Sequence, residues 1–157
     1  MTSKISAGLL MYRMRAGKLE VFLAHPGGPF YAAKDEGSWT IPKGLVEGEE
    51  DALAAAEREF EEETGIVPAG PYVALGSAKQ RSGKTVHAWA FRRDEEPPEP
   101  LRSNTFEIEW PPRSGRKQAF PEIDRAAFFS ADEARRTIIE GQRPFVDRLE
   151  QAIAERA

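Results

Sequence analysis

The feature that most limits what this chain can become is a block of acid. Between Glu47 and Glu63, eight of seventeen residues are glutamate, out of twenty in the whole sequence. So many carboxylates cannot enter a core, because an ionised carboxylate stays wet or paired. The block is nevertheless interleaved with Leu53, Ala54, Ala55, Ala56 and Phe60, which allows it to fold. Residues 51–64 are strong helix formers, and they predict a helix with Asp51 as N-cap and Gly65 as its stop. Leu53 and Phe60, seven positions apart, mark the face that docks on a sheet.

On such a helix Glu59, Glu62 and Glu63 stand at i, i+3 and i+4, sharing a face with Cβ atoms about 5–6 Å apart. Three carboxylates that close repel one another. The bland reading is a solvated face tiled with charge; the chemical one is a hard divalent cation, Mg²⁺ or Mn²⁺, which takes oxygen ligands. Arg58, one residue before Glu59 and four before Glu62, can hold one of these side chains in place. In the preceding loop Gly44 and Gly48 permit close backbone approach, so a main-chain carbonyl could complete a metal site. Lys43 adds a point charge suited to phosphate beside the helix N-terminus.

Gly44, five residues, Glu50, seven residues, Arg58-Glu59-Phe60, one residue, Glu62-Glu63, one residue and Gly65-Ile66 together match every position of the Nudix box. The chain thus resembles the Nudix hydrolases. That resemblance implies an α/β/α sandwich, a mixed sheet with helices on both faces, with the box as loop–helix–loop. It also implies Mg²⁺- or Mn²⁺-dependent hydrolysis of a nucleoside diphosphate linked to another group. Carried over by position, Glu59, Glu62, Glu63 and the Gly44 carbonyl are the expected metal ligands. Glu50 is a nearby acidic residue and Arg58 an orienting partner. Many relatives carry a further Glu before an aromatic of a late strand; here that position is Ala127, before Phe128. Glu122, Glu109 or Glu107 could substitute, and Glu122 is preferred because it sits at a loop-to-strand junction. The expected catalytic set is therefore Glu59, Glu62, Arg58 and Glu122, with Lys43 and Arg116 on substrate phosphates. The run from Trp39 to Gly44 resembles the approach to the box in diadenosine tetraphosphate hydrolases and in a group described as NTP pyrophosphohydrolases. An NTP or a dinucleoside polyphosphate is the expected substrate; ADP-ribose, a nucleotide sugar, or nucleotide sensing without catalysis are the alternatives.

Composition removes other chemistries. Cysteine is absent and only His25 and His87 carry imidazoles, so thiolate sites and histidine-rich cages are out. A net charge of −4 argues against a general nucleic-acid binder. No stretch reaches the roughly 18 apolar residues of a membrane span, and Met1–Lys4 open no convincing leader. A single domain over residues 1–157, cytoplasmic and taking a small-molecule nucleotide, is the expectation. His25 is given no role, and Ser82-Gly83-Lys84-Thr85 fails as a P-loop because Ala78 stands where the motif needs glycine.

The remaining elements follow from pattern. Residues 6–12 and 19–24 read as a hairpin around Arg15–Lys18. Residues 38–41 read as a short strand, and 72–79 and 85–91 as two strands joined at Ser82-Gly83. An exposed connection over 94–100, a half-buried strand over 105–110 and a basic loop over 111–117 come next. A strand over 123–129, a helix from a Ser130 capping box to about Ile139, and a helix over 144–155 complete the chain.

Overall fold

The apolar run after Lys4 becomes β1 (Ile5–Arg15), which turns through Ala16 and Gly17, both at positive φ, into β2 (Lys18–Pro26). A computed structural model describes residues 5–32, 34–98 and 103–156. After β2 come β3 (Lys43–Leu45), α1 (Ala52–Thr64), β4 (Val73–Lys79) and β5 (Thr85–Arg92). These are followed by β6 (Thr105–Glu109), β7 (Lys117–Pro121), β8 (Ile123–Ser130), α2 (Ala131–Thr137), a 3₁₀ turn at Glu140–Gln142 and α3 (Arg143–Arg156).

The main sheet runs β4-β5-β1-β2-β8, with β3 on β1; β1 and β5 are parallel and the other pairs antiparallel. Successive side chains of a strand point to opposite faces, and both faces are apolar. Leu10, Tyr12, Val21 and Leu23 enter one core with Ala134, Phe145 and Leu149 of α2 and α3. Leu9, Met11 and Phe22 enter the other with Ala55, Ala56 and Phe60 of α1. Helices on both sides of a mixed sheet give the α/β/α arrangement that the sequence implied.

One irregularity positions the box. β1 pairs with β2 only through Tyr12–Arg15, while Ser6–Gly8 pair with β3. Between those stretches the segment 40–45 is driven into the sheet like a wedge. Leu9 donates to Pro42 O at 3.3 Å, and Ala24 and Thr40 exchange amide bonds of 2.8 and 2.9 Å. Gly8 makes room, since a Cβ there would lie 2.6 Å from Pro42 O and 2.8 Å from Lys43 Cβ.

The wedge also corrects two expectations. Residues 38–41 form no strand but two isolated bridges, Thr40 with Ala24 and Trp39 with Ile138, and regular pairing starts at Lys43. The amide of Ile41 is satisfied by the Gln142 side chain at 2.9 Å, which leaves no ladder to extend. For the same reason α2 stops at Thr137 rather than about Ile139: Ile138 turns extended, so that Thr137 O and the Ile139 amide can bond Trp39. β7, which overlaps the expected basic loop only at Lys117, pairs with β6 as a separate two-stranded ribbon. The connection after β5 is largely exposed over 94–98; Glu99 and Pro100 of that expectation, and Met1–Lys4, lie outside the described residues.

Candidate active site around the acidic helix

Local chemistry sets the ends of α1. The Asp51 carboxylate accepts the Ala54 amide at 3.2 Å, and Gly65 closes the helix in the left-handed region at φ 78°. Phe60, fully buried and edge-on to Phe91 at 5.3 Å, fixes the helix rotation. Glu59 and Glu63, one before and three after it, are thereby turned toward β3, while the Glu62 side chain stays 41% exposed.

Contact between helix and loop is tight. A Cβ at Gly44 would overlap the Glu59 carboxyl group, so any larger residue there displaces that carboxylate from the loop. Next to it the Lys43 amide donates to Glu63 Oε2 at 2.9 Å. Burial pushes the Glu63 carboxyl up to about 8, reinforced by Glu59 and Glu122 and opposed by Lys43. Burial likewise holds the Lys43 ammonium below its ordinary value, against the pull of Glu63.

Arg58 gathers the other carboxylates. Its Nε and Nη2 fork onto Glu50 at 2.9 and 3.0 Å, and Nη1 reaches Glu59 at 2.8 Å and Glu62 at 3.4 Å. Glu50 is held below the carboxylate range by that fork. Glu59 is raised, because its burial outweighs the guanidinium beside it.

Glu122 completes the group from across the fold. Its amide donates to Asn104 O at 2.8 Å, its carbonyl accepts from Gly27, and Asn104 in turn donates to the Glu62 carbonyl at 3.1 Å. It lines a cavity of about 180 Å³ with Lys43, Glu63, Thr40 and Ile41. Burial raises its carboxyl, with Glu62 adding to the effect. A larger hollow of about 580 Å³ opens on the outer flank of α1 between Arg58, Glu62 and Asn104.

Of the residues singled out from sequence, Gly44, Glu50, Arg58, Glu59, Glu62, Glu63, Lys43 and Glu122 thus come together. Arg116 does not join them; it is exposed near the far end of the β6–β7 ribbon. Glu107 and Glu109 stand exposed on β6, and Ala127 packs toward the α2–α3 core rather than toward the box. Trp39 is a core residue, its Nε1 donating to Asp35 at 2.6 Å.

Two residues escaped sequence reasoning. Gln142, fully buried, bonds Ile41, Thr40 and Gln80 at once. His25, also fully buried, is held between Asp124 at 2.8 Å and the Lys34 carbonyl at 2.6 Å. Their partners are up to 102 residues away, and no local pattern announces them.

The donor set fits a hard divalent cation. It is all oxygen, with the buried Glu63 and half-buried Glu59 set against the Lys43 ammonium and the Arg58 guanidinium as countercharges. Among the described residues no three acidic or imidazole groups already converge as a cage.

The NUDIX domain model matches residues 2–149, and the chain belongs to that family. A 61-residue stretch is 43% identical to a Caenorhabditis elegans bis(5'-nucleosyl)-tetraphosphatase (asymmetrical), covering 39% of this chain and 40% of that protein. The match thus spans less than half of the relative's length. Among solved structures, a C. elegans Ap4A hydrolase binary complex superposes with a TM-score of 0.67 at 22% identity, over 97% of this chain and 98% of the other. The NUDIX domain of Shewanella oneidensis NrtR, complexed with ADP ribose, gives 0.67 at 12% identity, over 98% and 90%. A mutT/nudix protein of Listeria innocua gives 0.66 at 18%, over 99% and 98%. At these identities the superpositions establish the fold alone. No helix among the described residues is long and apolar enough to cross a membrane.

Proposed function

We propose that this NUDIX hydrolase cleaves a phosphoanhydride bond of a nucleoside triphosphate or a dinucleoside polyphosphate, with water attacking phosphorus and a divalent cation, Mg²⁺ or Mn²⁺, as cofactor. The observation that carries this reading is the Glu59 carboxylate packed over Gly44 beside the buried Glu63, inside a complete box. The similarity to the C. elegans tetraphosphatase supports the substrate class.

Glu59, Glu62, Glu63 and the Gly44 carbonyl would hold the cation. When bound, it supplies charge neutralisation at phosphoryl oxygens and water activation. Arg58 keeps Glu50, Glu59 and Glu62 in register. Lys43, on the wall of the same cavity as Glu63 and Glu122, meets the phosphate chain. Glu122, with its raised carboxyl, takes the proton of the attacking water as its oxygen bonds to phosphorus and the bridging P–O bond breaks. Glu122 and Lys43 thus line one small cavity.

A panel of ATP, diadenosine tetraphosphate and ADP-ribose, assayed with Mg²⁺ and with EDTA, tests the assignment. Cleavage of either of the first two with Mg²⁺ and none with EDTA is expected. Nucleotide binding without cleavage of anything would replace the reading by a sensing role.

A further inference from the structure

The β6–β7 ribbon carries a surface that the box does not explain. Its register pairs Phe106 with Phe120 and Ile108 with Gln118, and the Trp110 amide donates to Arg116 O at 2.9 Å. Alternation along the strands therefore puts Phe106, Ile108, Trp110, Phe120 and Arg116 on one face, with Glu107, Glu109 and Lys117 on the other. The loop after β2 lies along the first face. Gly28, at φ 95°, sits where a Cβ would come 2.8 Å from the tip of the Phe106 ring. Two residues on, Phe30 meets Trp110 edge-on with centroids 5.6 Å apart and planes at 80°.

Phe30 nevertheless remains 63% exposed, so the aromatic pair is open on one side. Its position relative to the carboxylates follows from the register. Pro121, at the near end of the ribbon, runs directly into Glu122, and Gly27 bonds the Glu122 carbonyl at 2.8 Å. Four strand steps separate the Thr105–Pro121 pair from the Glu109–Lys117 pair, about 13 Å. An aromatic track thus starts beside the proposed base and ends on the exposed Phe30 ring and Trp110, whose amide bonds the backbone of the exposed Arg116. Among the described residues neither Arg116 nor Arg113, on the connecting turn, forms an ion pair. Open aromatic faces with unspent positive charge, on a chain of net charge −4, suit a planar base carried on a phosphate chain.

We propose that Phe30, Trp110 and Arg116 form a distal subsite for the second nucleoside of a dinucleoside polyphosphate, an inference that rests on the phosphoanhydride-hydrolase reading. The rings hold the far base and Arg116 the phosphates leading to it. The subsite makes a dinucleoside polyphosphate, rather than an NTP, the preferred substrate.

The test compares diadenosine tetraphosphate with ATP, using Phe30→Ala, Trp110→Phe and Arg116→Ala. Loss of one base stack corresponds to about tenfold in binding. Phe30→Ala should therefore lower the kcat/KM ratio of the tetraphosphate over ATP about tenfold, mainly through KM, while Trp110→Phe preserves most of that ratio. Diadenosine tetraphosphate should quench tryptophan fluorescence in EDTA, and Trp110→Phe should abolish that quench. Equal effects on both substrates, or a quench that survives Trp110→Phe, overturn the subsite. A wild-type protein that cleaves neither nucleotide yet shows the Trp110-dependent quench overturns the hydrolase reading and leaves the subsite standing.

Discussion

The amide of Lys43 donates to Glu63 across 2.9 Å, and the same two residues wall the cavity that Glu122 closes. Sheet wedge and helix are thereby joined at the point where the carboxylates are most deeply buried. Replacing Glu63 by Gln keeps the volume and an oxygen to accept the amide while removing the charge. Turnover should fall by at least about a hundredfold, more than the usual loss for a residue that merely supports a metal ligand. Without divalent cations the melting temperature near neutral pH should hold or rise, because folding no longer has to bury a carboxyl whose titration is pushed up to about 8. Comparable turnover in Glu63→Gln and wild type would remove Glu63 from the ligand set.

Gly44 leaves room for the Glu59 carboxylate against the loop. Gly44→Ala forces the Glu59 carboxyl away from the loop, and because that carboxyl is the movable end of a side chain the cost is at the low end of overpacking, about 1 kcal/mol. Urea unfolding should show that loss together with a strongly reduced kcat. Full activity in the alanine variant would mean that Glu59 works from elsewhere.

Arg58 presents a fork that lysine cannot copy. With Arg58→Lys the bond pair to Glu50 is lost and Glu59 and Glu62 are no longer held by one group. The Mg²⁺ concentration for half-maximal rate should rise roughly tenfold. An unchanged Mg²⁺ titration would reduce Arg58 to a surface ion pair.

What the sequence made legible was local. Asp51, Gly65 and Ser130 punctuate their helices through bonds to residues three or four positions away, and each is found where expected. The box residues were legible for a related reason, since helical spacing alone turns Glu59 and Glu63 to one side. β7 was illegible because Lys117, Gln118 and Ala119 are exposed and carry no apolar alternation. Trp39 and Thr40 looked like strand residues, yet each pairs with a different element, an outcome decided by the split between β1 and β2. Glu122 was reached only by asking what stands at a loop junction; its placement depends on Gly27 and Asn104, 95 and 18 residues earlier in the numbering.

Gln142 offers a prediction of another kind, because it lies outside the box yet bonds the residues just before it. Gln142→Leu would strand the buried Ile41 amide, at about 1–3 kcal/mol. For a chain of this size that lowers the melting temperature by roughly 3–10 °C in calorimetry. Loss of kcat beyond the unfolded fraction would show that the entry to the box has shifted; a purely thermal effect would make Gln142 a packing residue.

The wedge of residues 40–45 gives the loop before α1 no hinge of its own. Its hydrogen bonds join it to β1 and β2 of the central sheet, so Lys43 and Gly44 cannot loosen without breaking bonds to β1. Heat inactivation should therefore track global melting, and amide protons of Leu9 and Ala24 should exchange with solvent only at the rate of whole-molecule opening.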